Sequence, residues 1–241
     1  MLSQLRIVHT SDVHLDDNAE GQRAQAAFAQ VVDQVLAQQA QLFLIAGDLF
    51  DHNRVPGHVI DFVHVQLARV TCPTVIIPGN HDCYNERSIL RRTDFDPDEH
   101  GIHLLSEEDG QRVHFEHLHA TVWGRGMIEH EPANKPLRNA PDRHGDTWNI
   151  GMAHGFYVDY PETMRSSLIT PDEIAASGFD YLALGHVHVA SEIRHGQTLA
   201  CYPGSPSMGY GSTRYVPSVA VVDLLPSVGP QLRIVALPKA E

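Results

Sequence analysis

Only three cysteines, Cys72, Cys83 and Cys201, occur in 241 residues. They are too few and too scattered for a disulfide framework or a thiolate zinc site. No apolar run approaches the ~20 residues needed to span a bilayer. The chain enters a strand-like segment, Leu5-Arg6-Ile7-Val8, without the apolar stretch of a secretion signal. A cytoplasmic protein with no membrane attachment is therefore expected. Basic residues are scarce as well: 17 Lys and Arg face 30 Asp and Glu, for a net charge of −13 with histidine neutral. A protein that held DNA mainly through backbone charge would be more basic. A hydrophobic share of 42% excludes a disordered chain, and the length suits one large domain. Histidine is the residue in excess, at 17. It is the commonest metal ligand, so its placement is the next question.

The periodicities describe alternating elements. Arg6-Ile7-Val8 is a short buried strand leading into the polar turn Thr10-Ser11-Asp12. From Gly21 to Ala40 the apolar positions Ala24, Ala27, Phe28, Val31, Val32, Val35 and Leu36 fall at helical spacing. Leu42–Ala46 and Thr74–Ile77 are continuous apolar strands, with a helix from Gly57 to Val70 between them. Ile102–Leu105 and Val113–Val122 read as strands, and the stretch around 126–146 as a long loop or small insertion. Thr147–Ala153 and Tyr181–Leu184 are further strands. Between them Thr170-Pro171-Asp172-Glu173 starts a helix with an N-cap, a first-turn proline and a capping-box glutamate. Two tail strands, Val219–Leu225 and Leu232–Leu237, suggest a hairpin at a sheet edge. The pattern predicts a layered α/β fold with an at least partly parallel core.

Five of these strands end in a turn rich in histidine, aspartate or asparagine: Asp12-Val13-His14, Gly47-Asp48, Gly79-Asn80-His81-Asp82, His154-Gly155 and Gly185-His186-Val187-His188. Ligands gather outside the carboxyl ends of strands in open α/β sheets, so five such turns can share one pocket. A single aspartate after a strand is more often a turn former; the joint occurrence is what packing alone does not supply. The imidazoles, carboxylates and amide oxygen form a mixed nitrogen and oxygen donor set suited to Mn²⁺, Fe²⁺ or Zn²⁺. Four histidines exceed what one open catalytic zinc requires, so two metals fit the count better than one.

These motifs resemble those of the calcineurin-like metallophosphoesterase superfamily: D-x-H, G-D, G-N-H-D/E, H and G-H-x-H, all unaltered between residues 12 and 188. His9–Leu15, Ala46–Asp51, Leu182–His188 and Tyr202-Pro203-Gly204-Ser205-Pro206 are similar to the bacterial DNA-repair exonuclease (SbcD-like) branch. The resemblance implies a four-layer α/β/β/α sandwich of two mixed sheets flanked by helices. It implies one metal held by Asp12, His14, Asp48 and His188, and a second held by Asp48, Asn80, His154 and His186. His81 would meet the substrate phosphate as general acid or charge stabiliser, with Asp82 orienting its ring. Two metals, Mn²⁺ foremost, would activate a bridging water and stabilise an in-line displacement. The expected activity is hydrolysis of phosphodiesters, nuclease-like, with DNA among the substrates and an ATPase partner encoded elsewhere. The alternatives are a small-molecule or nucleotide phosphodiesterase or phosphatase, and a non-catalytic scaffold, against which the complete ligand set argues. Branch members carry a DNA-capping domain after the core. Here only about 50 residues follow His188, so the chain is expected to be one catalytic domain over 1–241 without a cap.

His52, Arg54 and Arg87 are candidates to line the substrate site. Arg87, Arg91 and Arg92 together could grip a substrate phosphate or nucleic-acid backbone, but a solvated face paired with Asp94, Asp96, Asp98 and Glu99 is the favoured expectation for them. Cys83 reads as filler beside Asp82. Strand alternation would set His114 opposite His117 and His119, against a third metal site there.

Overall fold

A computed structural model describes residues 2–159, 165–207 and 215–239. In chain order the elements are β1 (Leu5–Thr10), α1 (Ala19–Ala37), β2 (Leu42–Ala46), α2 (Gly57–Leu67), β3 (Thr74–Ile77), α3 (Pro97–His100) and β4 (Ile102–Leu104). Then come β5 (Gln111–Phe115), β6 (Ala120–Gly124), β7 (Trp148–His154), β8 (Phe156–Tyr157), β9 (Leu168–Ile169), α4 (Pro171–Ala176) and β10 (Tyr181–Gly185). The chain closes with β11 (Ser191–His195), β12 (Thr198–Tyr202), β13 (Ser218–Leu225) and β14 (Gly229–Ala236).

Two six-stranded mixed sheets carry the fold, ordered β14-β13-β1-β2-β3-β4 and β11-β12-β10-β7-β6-β5. Strands β1 to β4 run parallel, as do β6, β7, β10 and β12. Antiparallel strands border these parallel blocks: β13 and β14 in the first sheet, β11 and β5 in the second. Strands buried on both faces explain the unbroken apolar runs. Leu5, Ile7, Leu42, Leu44, Val75 and Ile77 meet Val122, Ile150, Met152, Tyr181 and Ala183 between the sheets. The alternate residues Val8, Phe43 and Ile45 face Phe28, Val31 and Val32 of α1 and Val59 and Val63 of α2. Beyond the second sheet, Leu182, Leu184 and Ala200 pack on Ile174 of α4 and on Phe179. These are the four layers that the resemblance implies.

Caps set the helix ends. Asn18 accepts from the Glu20 and Gly21 amides to start α1, and Thr170 with Glu173 forms the capping box of α4. The stretch expected as one strand from Val113 to Val122 is instead the hairpin β5–β6, broken by a 3₁₀ turn over Glu116–Leu118 and by His119 at φ 48°. Alternation therefore does not run through it, and the expected opposition of His114 to His117 and His119 has no basis. Residues 125–147 hold no helix or strand.

One buried group between the sheets makes stability depend on pH. His9 is fully buried, with Nδ1 2.8 Å from the Tyr181 hydroxyl, and its Nε2 has no hydrogen-bond partner among the described residues. Burial pushes its pKa down to about 3, against a raising influence of the Leu184 carbonyl. A group whose folded pKa lies below its unfolded value of 6.5 is neutral when folded. Between pH 6.5 and 3 the unfolded chain takes up a proton that the folded chain refuses. Stability is thus full above 6.5 and declines below it, by at most about 1.4 kcal/mol per pH unit from this group. Urea unfolding at pH 7 and pH 5 should show the decline. His9→Gln, which leaves Tyr181 a partner, should have the shallower slope.

Candidate metal centre

The five histidine- and aspartate-bearing turns meet at the carboxyl ends of β1, β2, β3, β7 and β10. Parallel pairing aligns these ends within each sheet, with Gly185 beside His154 and Ala46 beside Ile77. The turns are backbone-strained where the side chains must converge. Asp12, His14, Asp48 and His186 have φ of 55°, 57°, 52° and 99°, a region that costs non-glycine residues about 1–3 kcal/mol each. Gly79 is required for proximity rather than for φ. A Cβ there would fall on the Asp48 carboxylate and lie 2.5 Å from the Asp48 amide nitrogen.

One group of donors gathers around His14. His14 Nε2 lies 3.2 Å from His188 Nε2 and 4.0 Å from Asp48 Oδ2, and His188 Nε2 lies 3.6 Å from Asp12 Oδ1. The other gathers around Asn80, whose Oδ1 is 3.0 Å from His154 Nε2 and 2.7 Å from His186 Nδ1. Asp48 reaches both groups, since its Oδ2 also lies 3.3 Å from His154 Nε2. Asp12, Asp48 and His154 are buried. The three residues of each of two sets, Asp12–His14–His188 and Asp12–Asp48–His154, offer ligand atoms within 4.8 Å of one another.

The tautomers test whether these donors suit a cation. His154 Nδ1 is 2.8 Å from the Ala46 carbonyl, an acceptor only, so Nδ1 carries the proton. The His154 Nε2 then faces two oxygens, Asn80 Oδ1 and Asp48 Oδ2, a position that a proton or a metal cation has to fill. His14 repeats the pattern: Nδ1 faces Asp51 Oδ1 at 3.1 Å, leaving the Nε2 lone pair toward His188 and Asp48. Facing lone pairs repel unless a positive charge lies among them, and the second-sphere carbonyl and carboxylate are the usual orienters of metal-bound imidazoles. The donor set suits divalent metal binding.

The same excess of negative charge governs the protons. Burial opposes charging His154, yet the Asp48 carboxylate, and then Asp12, raise its pKa to about 9. Burial likewise opposes ionisation of Asp48, but His154 and His14 carry its pKa well below the usual carboxylate range. His186 is pushed down to about 3, by burial first and then by His154. Burial also lowers His188, against the pull of Asp12.

His81 is about one-third exposed, its ring 4.5 Å from that of His14. Its Nδ1 is 2.7 Å from the Asp51 carbonyl and 3.5 Å from the Asp51 carboxylate. The hydrogen bond to Asp51, more than Asp48 at longer range, raises its pKa to about 9. Here the expectation for Asp82 is corrected. Its carboxylate accepts from the Leu49, Phe50 and Gly79 amides at 2.9, 3.2 and 2.7 Å, and makes no hydrogen bond with the His81 ring. A fully buried carboxylate takes the nearest N–H donors, and the G-D turn supplies them; Asp82 ties that turn to the G-N-H-D turn. Burial, then the charge of Asp48, still raises Asp82 to about 6. The residue that sequence reasoning missed is Asp51, between His14 and His81. Its signal was the second aspartate of Asp48-Leu49-Phe50-Asp51.

Of the substrate-site candidates, His52 turns its Nε2 to Asp16 Oδ2 at 3.7 Å while Nδ1 accepts from the Arg54 amide. Arg54 and Arg87 are exposed, and their guanidinium groups bond no described residue. Asn53, accepting from the Ile89 amide at 2.9 Å, brings their two loops side by side. Arg91 lies over the Tyr84 ring at 4.0 Å and Arg92 bonds the Val55 carbonyl. Neither pairs with the acids expected for it, and Asp96 instead caps α3. Cys83 is buried, donating to the Asn80 carbonyl. No helix among the described residues is long and apolar enough to cross a membrane.

Comparison with known proteins agrees with this geometry. The profile of the family described as calcineurin-like phosphoesterase matches residues 5–190. The chain is 25% identical to a subunit of the nuclease SbcCD of Bacillus subtilis over 264 aligned positions, covering 92% of this chain and 67% of that one. It is 27% identical over 235 positions to the DNA double-strand break repair protein Mre11 of Methanopyrus kandleri, covering 84% of this chain and 49% of that one. Among solved structures, the protein TT1561 of Thermus thermophilus superposes with a TM-score of 0.64 at 15% identity, covering 96% of this chain and 99% of the other. The chain thus spans about half to two thirds of the length of these curated relatives.

Proposed function

The chain belongs to the calcineurin-like phosphoesterase family of metal-dependent phosphoester hydrolases, and on that footing we propose that it cleaves phosphodiester bonds in nucleic acid with two divalent metals. The observation that carries the reading is the pair of converging donor clusters that Asp48 reaches, with the His81 imidazole beside them. In the proposed assignment Asp12, His14, Asp48 and His188 hold one metal, and Asp48, Asn80, His154 and His186 the other. Bound there, Mn²⁺ or a similar ion supplies Lewis acidity toward the phosphoryl oxygens and lowers the pKa of water. The remaining chemistry belongs to the chain. Ala46 and Asp51 fix the tautomers of His154 and His14. Asp51 holds His81 as imidazolium, with Nδ1 engaged and Nε2 free to hand its proton to the departing oxygen.

Similarity to a nuclease subunit and to a double-strand break repair protein supports nucleic acid as the substrate. The same similarity supports a partner subunit of the ATPase kind that the resemblance implies. The net charge of −13 favours the second reading, a hydrolase of small phosphodiesters or nucleotides. End-labelled single- and double-stranded DNA, incubated with Mn²⁺ and either wild type or Asp48→Ala, decides between them. Degradation by wild type alone is expected. Intact DNA together with turnover of a bis-aryl phosphodiester would move the substrate to the small-diester class.

A further inference from the structure

The loop that joins β6 to β7 is pinned on both sides of a short exposed stretch. On one side Met127 accepts from the Tyr84 amide at 2.7 Å, and the Gly126 amide donates to the Glu107 carbonyl at 2.8 Å. On the other, Asn134 donates from Nδ2 to Ser167 Oγ at 2.8 Å. Pro136 also lies so near Gly155 that a Cβ there would fall 2.7 Å from the proline Cγ. Arg125, buried at the root of the loop, ties the two sides together. Its Nε donates to the Glu108 carbonyl, and its Nη1 donates to Asn134 Oδ1 at 2.8 Å and to the Lys135 carbonyl at 2.9 Å. With those donors committed, Arg125 braces the loop.

His130 stands between these anchors. It is exposed, and its ring meets that of His186 edge-on, with centroids 5.4 Å apart and planes at 71°. Neither of its ring nitrogens bonds a described residue. The charges of His154, Asp48 and His81 all act on it, so it stands beside the centre. His81 holds the matching position against His14, at the other donor group. A phosphoryl group lying across both donor groups therefore meets an imidazole at each end. We propose that His130 is a substrate-contacting residue, whose imidazole N–H donates to an oxygen of the phosphoryl group held at the Asn80, His154 and His186 donors. Neutral or protonated, an imidazole offers at least one N–H, so the contact does not wait on titration. Glu129 and Glu131, exposed on either side of it in the chain, keep the loop from being an anion site by itself. His130 thus serves a phosphate that metal already holds. The proposal deepens the reading above and rests on it for a phosphate-bearing substrate, whether nucleic acid or small diester.

The full chain loaded with Mn²⁺ is titrated calorimetrically with inorganic phosphate, and KM for a bis-aryl diester is measured alongside. His130→Ala is expected to weaken phosphate binding and raise KM, each by about tenfold, the scale of one hydrogen bond to a charged group. Metal content and melting temperature should stay at their wild-type values, because the side chain is exposed. Two further variants divide the role. His130→Phe keeps a ring against His186 without an N–H and should match the alanine variant. His130→Asn keeps an N–H and should recover part of the affinity. Unchanged phosphate affinity and KM in His130→Ala would overturn the proposal. So would full affinity in His130→Phe, or a loss that appears only together with loss of metal, since either result makes the ring a mere support for His186. If wild type binds phosphate but turns over no diester, while His130→Ala still binds phosphate more weakly, the phosphodiesterase reading fails and the contact stands.

Discussion

Asp48→Ala is expected to lower hydrolysis by roughly 10³-fold or more, about 4 kcal/mol of barrier, and to take bound metal from two ions per chain to one or none. Asp48 reaches both donor groups, through Oδ2 to His154 and His14, while its Oδ1 accepts from the His81 amide at 2.8 Å. Its loss therefore removes a shared ligand and loosens the turn that carries His81. Folding should survive, because deleting a buried carboxylate also removes its desolvation cost. Elemental analysis of the purified variant, circular dichroism in chelator and turnover of a bis-aryl diester test the three parts separately. A variant that keeps two metals and half its activity would remove Asp48 from the centre.

His81→Asn should separate binding from chemistry. Its ring is one-third exposed beside His14, and it is not among the seven residues assigned to metal. Both metals should stay, with kcat lower by about 10²–10⁴-fold, the usual share of a general acid. The pH dependence carries the sign. Asp51 raises the His81 pKa to about 9, so the acid form is complete at neutral pH and is lost as pH rises through that value. The alkaline limb of kcat should lie toward that value in wild type, vanish in His81→Asn, and move toward neutrality in Asp51→Asn. Asp51→Asn should weaken metal binding as well, by about 10–100-fold, because Asp51 also orients His14. Unchanged kcat in His81→Asn, with metals in place, would exclude it from the reaction.

Much of this site was legible before any fold was known. The apolar runs Leu42–Ala46, Thr74–Ile77 and Tyr181–Leu184 each end within a residue of a structural strand. Asp48, Asn80, His186 and His188 follow a glycine that ends a strand and His154 precedes one, whereas Asp12 and His14 lie in a turn without glycine. Such signals are local: a strand declares itself through its own side chains, and a tight turn through the glycine it needs. The role of Asp82 was misread because adjacency in sequence stood in for adjacency in space. At a tight turn neighbouring side chains point apart, and Asp82 went to the buried amides of another turn while Asp51 met His81.

What the sequence by itself determined is therefore the alternation of elements, the chemistry of the strand-end donors and the division of the chain into sheet and helix layers. Tertiary structure alone decided the rest. It brought β13 from the far end of the chain to lie antiparallel beside β1. It set His154 beside Gly185, and it gave the buried Asp82 carboxylate the amides of Leu49 and Phe50. Each of these depends on which distant backbones pair and which buried charges then find partners. Those free energies arise between residues tens to hundreds of positions apart, where neither periodicity nor turn chemistry can register them.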